Sequence, residues 1–164
     1  MIAHASELGS QQRLTPWRCW RPHPTGTPHR KALYAVDIVA VKMVPPFGSP
    51  FNSYHGVLAA LDRLQALDYT TIIPGHGQCG TKQDVTDFEA LLHDMEAALS
   101  KASQDQGMWP MRGNPAALAH PKVGEVLFAA MDALKPKYGE WQGSDHNSLQ
   151  ALQWVFLYGI YMNE

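Results

Sequence analysis

Thr71-Ile72-Ile73-Pro74-Gly75-His76-Gly77 is the stretch that decides how this 164-residue chain is read. Thr70 to Pro74 has the composition of a short buried strand, and Gly75 to Gly80 that of a glycine-rich turn after it. A histidine between two glycines at the carboxyl end of a strand is held on a sharp turn. Glycine permits positive φ and close backbone approach, so the imidazole can be carried into a cleft at the strand's end. Taken alone, the same triplet is equally a plain strand ending.

Upstream, Ala32-Leu33-Tyr34-Ala35-Val36-Asp37-Ile38-Val39-Ala40-Val41 is a short apolar run rich in β-branched residues. It reads as a strand buried on both faces. Asp37 is its one carboxylate. Beside Val36, Ile38 and Val39 it stays charged only if it is paired, bound to a metal, or solvated at a strand end. At the strand end it would face the same cleft as His76. Val44-Pro45-Pro46-Phe47-Gly48-Ser49-Pro50 then reads as a loop. From Tyr54 to Leu67 the spacing of Val57, Leu58, Leu61, Leu64 and Leu67 predicts a helix, capped by Asn52 or Ser53. Strand, helix and strand in this order suggest a βαβ-like unit.

Downstream the pattern is helical. A second helix starts near Thr81, where Thr81 and Asp84 resemble a capping box. Val85, Phe88, Leu91, Leu92, Met95 and Leu99 form its apolar stripe. Asn114-Pro115 is a good N-cap and first-turn pair. A third helix follows Pro121, with Val123, Val126, Leu127, Ala130, Met131 and Leu134 toward the core. A last helix begins near Ser144 or Asp145 and carries Leu149, Leu152, Phe156 and Ile160. The sum is two short strands and four helices, and two strands alone make a poor sheet.

Composition sets outer limits. Apolar residues make up 45% of the chain and charged residues 17%, which argues against wholesale disorder. Thirteen basic and fifteen acidic side chains leave a net charge of −2, so there is no electrostatic footprint for a nucleic acid. No run of 18 apolar residues is present to cross a membrane. Two cysteines, Cys19 and Cys79, cannot build a disulfide framework, though they leave room for one bridge. The first 31 residues, with Pro16, Pro22, Pro24 and Pro28 and no apolar periodicity, read as an irregular or disordered leader. Residues 32–164 read as one domain. The leader lacks the features of a secretory signal, which makes a cytoplasmic location the default.

Together the two strands carry a resemblance. Val36-Asp37-Ile38-Val39, a proline loop, a helix, Ile73-Pro74-Gly75-His76-Gly77 and a long amphipathic helix resemble, in that order, the metallo-β-lactamase-fold hydrolases. The likeness runs from about Leu33 to Leu99, and Tyr138-Gly139-Glu140-Trp141 looks like the extension of some members. It implies an α/β fold, a partial metallo-β-lactamase-like αβ/βα sandwich with few strands and about four helices. It also implies a dinuclear zinc or iron site, in which Asp37 bridges two ions and His76 binds one of them. Asp37 and His76 are therefore the candidate metal and catalytic residues. The implied reaction is attack by a metal-bound hydroxide on an ester, thioester, amide or phosphoester, since zinc lowers the pKa of bound water towards 7.

The chain departs from that family at its main metal motif, His-x-His-x-Asp-His, which is absent. His23-Pro24-Thr25-Gly26 is the one candidate for a further family histidine. The chain thus resembles the carboxyl half of such an enzyme behind an unrelated leader. A catalytic zinc usually takes three protein ligands, so metal binding is expected to be weak or absent and hydrolysis slight or nil. Alternatives are a non-catalytic fragment serving as a binding or interaction module, and a half-site completed by homo-oligomerisation through an exposed sheet edge. A small-molecule substrate is expected if the chain is active. Cys79, His55, His93, His120 and His146 read as loop, packing or capping residues. Trp109, Trp141 and Trp154 read as cover for the core or a pocket edge.

Overall fold

In the computed structural model, residues 31–45 and 53–161 are described. The leader and most of the proline loop lie outside them. The order is β1 (Ala32–Val41), α1 (Tyr54–Ala66), β2 (Thr71–Gly77), α2 (Lys82–Asp105), α3 (Val123–Tyr138) and α4 (Ser144–Val155). Short 3₁₀ turns at Trp109–Met111 and Pro115–Ala119 connect α2 to α3, and α4 continues into a π-helical turn, Phe156–Tyr161. The class is α/β and mostly helical, with one two-stranded parallel sheet among the described residues.

Each helix follows from its sequence. Ser53 Oγ accepts the Gly56 N–H and starts α1. At the start of α2, Asp84 reaches back to accept the Thr81 backbone N–H at 2.8 Å, half of a capping box. Val85, Phe88, Leu91, Leu92, Met95 and Leu99 are all buried, because residues three and four apart share one face of a helix. α2 is the central element, packed against α1, α3, α4 and β1. The Asn114-Pro115 pair starts only a five-residue 3₁₀ turn: Asn114 Oδ1 accepts the Ala116 N–H, and Pro121 follows too soon for a full helix. Phe156 and Ile160 lie past α4 in the π-turn, both buried. Gly159 sits there because a Cβ would come within 3.1 Å of the Tyr54 ring.

Two readings of the strands are corrected. β2 does not stop at Pro74. It runs through Gly75 and His76 to Gly77, so His76 is a strand residue paired with Ala40 rather than the tip of a turn. Pro74 is tolerated because Ile72, two residues earlier, turns its N–H and C=O outward to Gly80, at 2.8 and 3.0 Å. Pro74 faces the same outer side, where no donor to β1 is required. β1 is not buried on both faces either. Ala35, Val39, Ala40 and Val41 are buried, but Tyr34 is 73% exposed and Val36 53%. A two-stranded ribbon with helices over one face leaves alternate side chains uncovered on the other.

The register explains the rest. Ala32 to Ala35 pair with Thr71 to Pro74, and then Ala40 and Val41 pair with His76 and Gly77. Four residues of β1, Val36 to Val39, therefore stand opposite Gly75 alone, a large bulge. Beyond it, the exit of β1 is held by the segment after α3: Val44 N–H donates to Gln142 O at 2.9 Å, and Gln142 N–H to Lys42 O at 3.1 Å.

Candidate functional site

The bulge in β1 builds the site. Asp37 takes φ +61°, in the left-handed region that few residues other than glycine adopt and that Asp and Asn tolerate best. This turn takes Asp37 out of the in-and-out alternation of the strand and lays its carboxylate across β2. His76 Nε2 stands 3.1 Å from Asp37 Oδ1. The His76 side chain is 47% exposed and that of Asp37 40%, so the pair lies at the surface. Asp37 is in mid-strand rather than at the strand end, and it escapes the cost of a buried charge by lying outside the core.

Gly75 is the condition for this meeting. A Cβ on it would stand 2.7 Å from both Asp37 Oδ1 and Val36 Cγ1. The glycine before His76 is therefore required for the close approach of the bulge. Gly77 has a different role: its φ of +85° is one that side-chain-bearing residues rarely adopt.

Flanking contacts fix the ribbon. Lys42, also left-handed at φ +49°, pairs with Asp87 of α2 and lies 5.2 Å over the Trp141 ring. Lys42, and then Gln83, hold the Asp87 carboxyl below the usual carboxylate range. Two turns further along the same face of α2, Lys137 and Tyr138 both donate to Asp94 at 2.6 Å. Lys137 first and Tyr138 second lower the Asp94 carboxyl, and Asp94 in turn is the leading cause that raises Lys137.

The other candidates of the sequence do not join the site. His55 is exposed and edge-on to the Tyr54 ring. His93 Nδ1 lies 3.9 Å from Glu96, and His120 Nδ1 accepts the Lys122 N–H. Cys79 is disulfide-bonded and has no thiolate to lend. Trp154 is buried, while Trp109 and Trp141 are half-buried against the core. Among the described residues no group of three or more His, Cys, Asp or Glu side chains is placed to hold a metal ion. His23 lies outside them. No described helix is long and apolar enough to cross a membrane.

The arrangement offers two kinds of chemistry. With a proton on Nε2, the imidazole donates to the carboxylate, which orients the ring. With that proton gone, a nitrogen and an oxygen donor converge on one point. A tetrahedral cation with bonds of about 2.0–2.1 Å sets neighbouring donors about 3.3–3.4 Å apart, so the 3.1 Å separation suits two ligands of one ion. As a set for catalysis it falls short, since three protein ligands are the rule.

What the sequence missed is the bulge itself and its support by Lys42 and Asp87. Nothing in an apolar run marks where the register will break. The one available signal was Gly75 beside His76. Compared with known proteins, the chain matches no protein-family model and no curated protein with significant similarity.

Proposed function

We propose that Asp37 and His76 are two ligands of a metallo-hydrolase-type metal site, and that the chain binds a divalent cation weakly through them without turning over substrate by itself. The observation that carries this reading is the paired placement: a left-handed Asp37 and a glycine reserved at position 75 bring a carboxylate and an imidazole to the bite of one ion. A backbone held in a sparsely populated region persists where its surroundings enforce it, and such strain gathers at functional sites. The same reading takes β1 and β2 as part of one sheet of a metallo-β-lactamase-like sandwich. Zinc fits the nitrogen and oxygen donors, and iron fits them as well. A bound ion would supply Lewis acidity toward a carbonyl or phosphoryl oxygen of a small-molecule substrate. This chain's own part is to hold the two donors at that spacing, through the left-handed turn at Asp37 and the missing side chain at Gly75.

A second reading rests on the open strand. Along Ala32 to Ala40, β1 pairs on one side only among the described residues, and Tyr34 and Val36 are exposed beside Asp37. Unpaired edges invite strand pairing, so a second copy could complete the set of ligands.

The test is titration of metal-free protein with zinc and with cobalt by calorimetry, alongside assays with a chromogenic β-lactam, a thioester and a phosphodiester. The expected result is one weak cation per chain, an affinity lowered at least about tenfold in both Asp37→Asn and His76→Ala, and no turnover. Cation binding that both variants leave unchanged overturns the reading. Sedimentation with and without zinc separates the second: a dimer formed only with metal, at one ion per two chains, supports the shared site.

A further inference from the structure

A second place on the molecule combines shape with a wall weighted toward hydrogen-bond acceptors. Val44 and helices α2, α3 and α4 enclose a cleft of about 140 Å³. An engineered apolar cavity of about 150 Å³ takes a benzene, so the space suits a phenyl-sized body. Its floor is apolar, with Leu91, Met95 and Leu134 buried and Met131 half-buried. Thioether sulfurs make favourable contacts with aromatic rings.

Most of the polar side chains on its wall can accept a hydrogen bond. Ser144 Oγ lies 2.6 Å from Gly139 O, and Ser148 Oγ lies 2.5 Å from Ser144 O. Carbonyls cannot donate, so in both contacts the hydroxyl gives its only proton. What remains for the cleft is lone pairs. Asp132 and Asp145 add two carboxylates, and Lys135 is the one cation among the described lining residues.

We propose that this cleft binds a small hydrophobic primary amine, its apolar body on Leu91, Met95, Met131 and Leu134 and its ammonium among Ser144, Ser148, Asp132 and Asp145. An ammonium brings three donors and no acceptor, which complements a wall that offers lone pairs. None of the lining residues belongs to the Asp37–His76 site, so the proposal stands apart from the metal reading.

The experiment follows binding to the whole chain by NMR at neutral pH, with benzylamine, benzyl alcohol and benzoate as probes of one shape and three charges. Benzylamine is expected to saturate a single site at about 1 mM, the alcohol to bind more weakly, and benzoate not to bind. Asp145→Asn should weaken benzylamine about threefold to fivefold, the range for exposed ion pairs. Met131→Trp, which fills the space, should abolish binding. Lys135→Ala is the deciding variant, because removing the cleft's cation should tighten benzylamine about threefold, an effect that loss of structure cannot imitate. Benzoate binding as tightly as benzylamine overturns the proposal, as does unchanged or weaker amine binding in Lys135→Ala.

Discussion

Leu91 and Leu99 of α2 are fully buried, whereas Tyr34 and Val36, on an equally apolar strand, face solvent. The difference lies in what each element can cover. A helix repeats every 3.6 residues, so one stripe of side chains stays on one face for its whole length, and α2 buries that stripe against the elements around it. A ribbon of two strands has no such reach. Its side chains alternate, one face stays open, and the register breaks at Val36 to Val39. The helices spend their regularity on stability. The ribbon gives regularity up, and at the point of irregularity the Asp37–His76 pair appears. The pair sits where packing constrains the chain least from outside and most from within, through Gly75.

The contrast breaks most clearly at the core. Leu99→Ala removes a fully buried side chain from the middle of α2 and should cost about 2–5 kcal/mol in urea unfolding. Tyr34→Ser should stay within about 0.5 kcal/mol of wild type, as for other exposed positions. Equal costs for the two would show that the open face of β1 is covered in solution. Next in size is Gly75→Ala. Its added methyl meets Asp37 and Val36 at 2.7 Å, an overpacking of about 1–3 kcal/mol. The same change should shift the backbone resonances of Asp37 and His76 and lower cation affinity. A neutral Gly75→Ala would mean that the bulge moves aside freely.

These two substitutions also mark how far the sequence could be read. The stripe around Leu99 was visible because helical spacing survives in the order of residues, and α1, α2, α3 and α4 all begin within about two residues of their signals. Thr81 with Asp84 is the plainest case, since the capping contact needs only local chain. β1 was visible as a strand, but its exposure was not. Burial of a strand depends on how many partners and helices lie beside it, which is a property of the whole fold. Likewise the extension of β2 through Pro74 and Gly75 contradicts local preference. It is allowed only because Gly80 occupies the outer edge at Ile72. Asp37 and His76 stood out by residue type and neighbours. The left-handed turn that joins them did not, because aspartate seldom announces that conformation.

A smaller effect tests the seam between α2 and α3. Asp94 has its carboxyl lowered, chiefly by Lys137 and then by Tyr138. A group depressed in the folded state stabilises above its unfolded pKa, about 3.9, and loses that contribution as the pH falls through the lower folded value. Acid unfolding should therefore steepen below about pH 4 in wild type and be shallower in Asp94→Asn. At neutral pH the variant should lose no more than about 1 kcal/mol, because the Asp94 side chain is 40% exposed and solvent screens the pair. Parallel acid limbs in the two proteins would remove Asp94 from the seam.

The smallest expected change in stability is at the site itself. Asp37→Asn keeps the size of the side chain, and asparagine tolerates the left-handed region as well as aspartate does. The midpoint of urea unfolding should thus move by less than about 0.5 kcal/mol, because the partner lost is exposed and the backbone turn is retained. The cation affinity should fall at least about tenfold in the same protein, since a neutral amide is a poor replacement for a carboxylate ligand. The two readouts must separate. If stability falls with affinity, the Asp37–His76 contact is holding the bulge together, and the ribbon belongs with the helices as a structural element after all.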